Sequence, residues 1–179
     1  MSAKPESALN FANLSMHRIR IMDIATAQAM LEDCAATLRV RYGMGQWGIA
    51  TTARQIERNM VDRQVMLVHY LGVCVATFTI TRIPPSWYPI ERFSAPEAKS
   101  SYLSNLCVMP SFQGRGVGRW CITKACDIAQ RQGSTVLRSD VYTEITEAVH
   151  FANNVGFNWC AEISYSNHSH WLCEIPLTL

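Results

Sequence analysis

The segment Gln113-Gly114-Arg115-Gly116-Val117-Gly118 constrains this chain more than any other. It follows an apolar run at 102–108 that Pro110 closes. It also opens a helical pattern whose apolar residues Val117, Trp120, Cys121, Ala125, Ile128 and Ala129 share one stripe. Glycines there let the backbone approach a ligand closely. At a helix start up to four N–H groups lack an intrahelical acceptor, and the dipole adds about half a positive charge. A diphosphate is the natural guest, with Arg115 and Arg119 adding formal charge beside it. A glycine-rich turn with no ligand has the same sequence.

Two phosphate-binding signatures compete for the segment. A Walker A loop needs Lys and then Ser or Thr after its last glycine, whereas Gly118 is followed by Arg119 and Trp120, which argues against nucleotide hydrolysis. A Rossmann-like, NAD(P)-dependent oxidoreductase fits better, because Asp140 ends the next strand 22 residues after Gly118, where a ribose-binding acid belongs. The glycines, however, read GxGxG rather than GxGxxG.

The remaining pattern is mixed α/β. An alternating strand at 17–22 ends at Asp23, a cap for a helix with apolar Ala27, Met30, Leu31, Cys34 and Leu38. After RYGMGQWG, Thr52 and Gln55 form a capping box for a second helix. Runs at 65–70 and 73–81 read as a hairpin of central strands. The segment 83–99 carries four prolines and three aromatic residues and reads as a long functional loop or lid. Beyond the glycine helix, which Gly133 ends, come a strand at 135–141, a helix capped by Thr143 and ended by Gly156, and a closing hairpin at 157–165 and 171–177. The order β-α-α-β-β-β-α-β-α-β-β is a layered α/β fold without internal repeat.

At 179 residues the chain suits a single domain, read as 17–179 after a flexible segment 1–16. A net charge of +2 without a basic run argues against nucleic acid. No stretch resembles a secretory leader or reaches the ~20 apolar residues of a membrane span. Seven cysteines, an odd number with no CxxC pair, read as reduced thiols in apolar surroundings. These features together indicate a cytoplasmic protein. His168 and His170 form an HxH, but no second ligand pair accompanies them, so no metal is expected.

The glycine segment and its flanks resemble the GNAT acyltransferase superfamily, which transfers an acyl group from coenzyme A to an amine. Gln113, Gly116 and Gly118 meet that family's pyrophosphate-loop pattern; Leu106-Cys107-Val108-Met109-Pro110 is similar to the strand entering it. Ala148 to Phe157, AVHFANNVGF, looks like its fourth helix, and Cys173-Glu174-Ile175-Pro176-Leu177 like its last strand. The resemblance implies a single-domain fold with a mixed, mostly antiparallel central sheet flanked by helices, and acetyl-CoA as co-substrate. It implies that Leu106, Cys107 and Val108 run along the pantetheine arm, with the Leu106 N–H positioned for the thioester carbonyl. Gln113, Gly114, Arg115, Gly116, Val117, Gly118 and Arg119 would hold the pyrophosphate. The acceptor would be an amine of a small molecule or peptide, and dimers are common in the family.

The chain departs from the family where a Tyr often serves as general acid, here Ala152, and where an Asn is frequent, here Ile145. An acyl-CoA-binding module with reduced catalysis is therefore the alternative reading. A thiolate leaving group with pKa near ~8.5 tolerates the loss of an acid. An alkyl amine, by contrast, is only about one part in a thousand neutral at pH 7, so its proton must be taken. In the family the inward residues two and four before the position matching Leu106 often supply the base; here these are Ser104 and Tyr102, neither a good base at neutral pH, and Tyr102 is the first choice as an acid or as a hydrogen-bond holder for substrate or water. Glu91, Asp140, Tyr142 and His150 are the other candidates, with His150 outside its helix's apolar stripe and Asp140 readable as a loop anchor. Trp47, Trp87, Tyr88 and Phe93, with Glu91, lie in the two loops that would cover the acceptor. Strand alternation turns Cys107 away from the face of Leu106, against an acyl-cysteine intermediate.

Overall fold

The computed structural model describes residues 9–43 and 51–178. Trp47 lies outside them. Seven strands form one sheet in the order β1-β2-β3-β4-β5-β7-β6: β1 Leu14–Arg18, β2 Gln64–Tyr70, β3 Val73–Thr81, β4 Ser100–Val108, β5 Val136–Tyr142, β6 Asn158–Tyr165 and β7 His168–Pro176. Every neighbouring pair is antiparallel except β4 and β5. A doubly wound parallel sheet is thereby excluded, and the Rossmann-like dehydrogenase reading is corrected.

Alternation along the strands builds a core on each face. Met66 and Val68 of β2, with Phe78 and Ile80 of β3, pack toward α3 (Val117–Arg131) and α4 (Thr146–Val155), where Val117, Cys121, Ala125 and Ala152 meet them. Val65 and Leu67 face the other way, onto Ile24, Ala27 and Met30 of α1 (Ile24–Tyr42) and Ile56 of α2 (Ala53–Asp62). Over the far half of that second face lies the segment 82–99, whose Tyr88 and Phe93 pack with Tyr102 and Leu172. It holds one short 3-10 turn, Ile90–Arg92, and otherwise no regular element, as its prolines imply.

Several local expectations shift, each for a physical reason. β1 begins at Leu14 and ends at Arg18, so residues 9–16 are not a flexible lead: Leu9 and Leu14 are buried in the core. The strand ends early because the Asp23 carboxylate accepts from the Arg20 main-chain N–H at 2.9 Å and from its guanidinium at 3.0 Å, closing a turn. Asp23 therefore faces backward rather than capping α1 with its side chain. Thr143 does not cap α4 either; its hydroxyl donates to the Ser169 carbonyl at 3.3 Å, and Ile145 stands at the helix start. The Thr52–Gln55 capping box forms as expected, with reciprocal bonds of 3.3 and 2.8 Å. Cys34, Cys74, Cys121 and Cys173 are buried free thiols, whereas Cys107, Cys126 and Cys160 are half-buried.

One buried ion pair fastens the 82–99 segment to the sheet. Arg138 of β5 lies 3.3 Å from Glu174 of β7, donates to the Ala95 carbonyl at 2.5 Å and stands 4.4 Å above the Phe93 ring. Glu174→Ala leaves this guanidinium buried without its carboxylate. It should lower the unfolding free energy by about 3–5 kcal/mol, read as a lower urea midpoint, and Arg138→Met on top should recover part of the loss. Arg20, chiefly through its side-chain hydrogen bond, holds the Asp23 carboxyl well below the usual carboxylate range. The stability this supplies is complete above the unfolded carboxyl pKa of ~3.9 and fades as pH falls toward the folded value, so Asp23→Asn should flatten the acid limb of the stability profile.

Candidate active site

The site begins where two parallel strands part. β4 and β5 pair only from Ser100↔Val136 to Tyr102↔Arg138, although both continue for several residues. Past that point the Ser139 hydroxyl donates to the Leu103 carbonyl at 3.0 Å, and the ladder stops. A bulge in β4 marks the same place: Asn105 has a left-handed φ of 52°, and the register with β3 shifts between Thr77 and Thr79. The Met109 N–H donates to the Val75 carbonyl on β3 at 2.8 Å. Backbone groups alternate sides along an antiparallel strand, so the N–H groups of Val108 and Leu106 face away from β3, into the opening toward β5.

The glycine segment stands at the end of that edge. Gly114 and Gly116 take left-handed φ values of 69° and 87°, and Gly116 caps α3. The first helical N–H with an acceptor is that of Trp120, donating to Gly116 at 3.0 Å, so the preceding N–H groups at the helix start have no intrahelical acceptor, an arrangement that suits an anion. Gln113 ties the loop to the strand by donating to the Val108 carbonyl at 3.0 Å; the Cys34 thiol donates to the same oxygen at 3.6 Å. Gly118 serves packing: a Cβ there would sit 3.0 Å from the Phe151 ring of α4. Arg115 lies over the Phe112 ring, and Arg119 joins two helices by donating to the Asn154 carbonyl of α4 at 2.5 Å.

The side chains facing α1 and α2 divide into two groups. Beside the bulge, a cleft of about 380 Å³ is lined by Gln55, Arg58, Asn59 and Asp62 of α2 together with Asn105. This polar stripe, repeating at three and four residues along the flank of Ile56, was legible in the sequence as amphipathic spacing but not as a site. On the β5 side, Asp140 accepts from the Tyr88 hydroxyl at 2.6 Å through one oxygen and meets Nδ1 of His170 at 2.8 Å through the other. Burial first, and then Asp140, push the Tyr88 phenol well above its usual pKa, so it remains a donor. The Trp87 ring stands edge-on to His170 at 5.2 Å and stacks on Tyr165 at 4.3 Å.

The sequence candidates therefore separate. Tyr102 is buried on the face of Asp140, 5.9 Å from the Tyr88 ring. Tyr88 and Phe93 are built into the core, Trp87 is half-buried, and Glu91 and His150 are exposed. Leu106 packs on the α3 core. Cys107 has the opposite orientation, and its hydrogen bond with the Cys34 thiol, followed by burial, holds its own thiol well above the ordinary pKa. His168 and His170 do not converge: His168 pairs with Glu144 at 3.0 Å and His170 with Asp140. Among the described residues no group of three His, Cys, Asp or Glu side chains is arranged to hold a metal, and no helix is long and apolar enough to cross a membrane.

Comparison with known proteins agrees with this architecture. No curated protein sequence matches the chain. Among solved structures, a GNAT-family acetyltransferase from Listeria monocytogenes 4b F2365 superimposes with a TM-score of 0.73 at 17% identity, over 92% of this chain and 95% of that one. The PaiA N-acetyltransferase of Thermoplasma acidophilum, in complex with coenzyme A, gives 0.70 at 11% identity over 91% and 98%. YncA, a putative acetyltransferase of Salmonella typhimurium with its cofactor acetyl-CoA, gives 0.64 at 14% over 93% and 95%. These identities establish a shared fold. The sequence profile of the Acetyltransferase (GNAT) family matches residues 31–157, well over half the chain, and the protein belongs to that family.

Proposed function

We propose that this protein transfers an acyl group, acetyl in the first instance, from coenzyme A to a primary amine of a small molecule or peptide by direct attack. The observation that carries the reading is the unpaired inner edge of β4 running into the start of α3. Those residues suit the carrier. Leu106, Cys107 and Val108 offer backbone polar groups to a pantetheine arm, and the N–H groups from Gly114 to Arg119 offer positive dipole ends to a diphosphate. The carrier supplies the thioester. The Leu106 N–H is a fixed donor for its carbonyl oxygen as negative charge develops, a role worth ~3 to 4 kcal/mol where water is excluded.

The acceptor amine has its natural approach from the opposite face, through the cleft between α2 and Asn105. Tyr102 would hold the amine or a water on that face. The two solved neighbours bound to acetyl-CoA or coenzyme A support the choice of co-substrate.

One observation favours a second reading, a binding module without turnover. Ala152 is 2% exposed and Ile145 8%, so the positions where the family often carries Tyr and Asn are closed into the core here.

Calorimetry with acetyl-CoA should show saturable binding. Gly116→Asp should weaken it on the order of 100-fold, about 2.7 kcal/mol, by placing a carboxylate at the helix start. Gly133→Asp is the control: Gly133 shares the left-handed backbone, with φ of 77° and open space around it, but lies at the far end of α3 and should leave affinity unchanged. Free thiol release across a panel of amines and peptides then separates the readings. Release supports acyl transfer, whereas binding without release, unaltered by Ala152→Tyr, supports the module.

A further inference from the structure

His170 carries chemistry that neither its position in the last strand nor the HxH spacing explains. It is 3% exposed, its Nδ1 lies 2.8 Å from Asp140 Oδ2, and its Nε2 is buried with no hydrogen-bond partner among the described residues. The other Asp140 oxygen accepts from the Tyr88 hydroxyl at 2.6 Å. A carboxylate that accepts from both neighbours makes Nδ1 the donor, so in the neutral ring the proton sits on Nδ1 and Nε2 presents a lone pair. A buried acceptor left unused is destabilising, so a donor that binds there would recover that cost.

The topology places this lone pair on the reactive side of the sheet. Tyr102 pairs with Arg138 as the last step of the β4–β5 ladder, and alternation puts Ser104, Asp140 and Tyr142 on the same face just beyond it. Tyr142 lies opposite His170 in the β5–β7 register. Ser104 Oγ is likewise buried without a partner among the described residues. Two unpartnered polar side chains thus share one face of the sheet, Ser104 on β4 beside the opening and His170 on β7 with β5 between them. The ionisable and aromatic groups in contact with the imidazole are Asp140 and Tyr142 of β5, Trp87 of the 82–99 segment and Tyr165 of β6; Tyr88 reaches it through Asp140, and His168 through the Tyr142 ring. His168 is paired with Glu144, so Asp140 is the one carboxylate bonded to the His170 ring among the described residues.

We propose that His170 is the general base of the acyl transfer, that Asp140 is its positioning residue, and that Ser104 holds the amine or an intervening water between base and thioester. The inference rests on the acyltransferase reading above. As the amine nitrogen bonds to the thioester carbonyl carbon, its proton passes to His170 Nε2. The C–S bond then breaks, its electron pair leaves with the sulfur, and the imidazolium or solvent returns a proton to the thiolate. Tyr88 keeps Asp140 from rotating away, and Trp87 stacked on Tyr165 keeps bulk water off the ring.

Nitrogen-detected NMR on the full chain at pH 7.5, with acetyl-CoA present, tests the tautomer without turnover. The expected state is a protonated Nδ1 and a bare Nε2, reverting in Asp140→Asn; a protonated Nε2 in the wild type overturns the proposal. With acetyl-CoA and probe amines (butylamine, phenethylamine and a lysine peptide), His170→Gln should lower kcat by about 10²- to 10⁴-fold. It should also abolish the acid limb of kcat/KM while acetyl-CoA affinity stays unchanged. An undiminished kcat with the acid limb intact overturns the base and leaves acyl transfer standing. Wild-type protein that binds no acetyl-CoA overturns the acyltransferase reading, and this inference with it.

Discussion

The parting of β4 from β5 governs the rest of this structure. A parallel pair inside a sheet ordinarily continues as far as both strands allow, because unpaired backbone groups away from water are costly. Here the pairing stops after Tyr102↔Arg138 while both strands run on. A bulge at Asn105 and the Ser139 hydroxyl on Leu103 make the separation a built feature with its own hydrogen bonds. The freed edge leads directly into the left-handed glycines and the open start of α3, so main-chain donors follow one another along a single path.

The two faces of the sheet then take different duties. Toward α3 and α4, the Leu106 and Val108 side chains pack on the core while their N–H groups stay turned to the opening. Toward α1, α2 and the 82–99 segment, the polar groups gather: the α2 stripe beside Asn105, Tyr102 on β4, and the Asp140–His170 pair across the gap. The buried Arg138–Glu174 pair holds the 82–99 segment down through Ala95, and that segment supplies Tyr88 to Asp140. Removing the ion pair would therefore loosen groups several residues away from it. The electrostatics of the acceptor side depend on the same fastening.

Local signals carried most of the fold. The Thr52–Gln55 box, the glycine segment and the alternating strands depend on neighbours within a few residues, and they appear where the sequence puts them. The misplacements come from side chains that found distant partners. Asp23 and Thr143 look like helix caps, yet one bonds backward to Arg20 and the other across to Ser169. Arg119, beside the glycine segment, also joins α3 to α4 through a carbonyl 35 residues on. His170 was legible only as half of an HxH, because its partner Asp140 lies thirty residues earlier and meets it through the β5–β7 register. A histidine at an inward position of the last strand, with an acid at an inward position of β5, was the signal available. Reading it required knowing that those two strands are neighbours.

The central claim is that bare main-chain N–H groups along the parted edge and the start of α3 hold an acyl carrier. Amide chemical shifts and hydrogen exchange, followed residue by residue as acetyl-CoA is added, test it most directly. The account expects the largest changes and new protection at Leu106, Val108 and Gly114 through Arg119, with the β1–β2 amides unmoved. Saturating acetyl-CoA that leaves these amides unshifted and unprotected would contradict it.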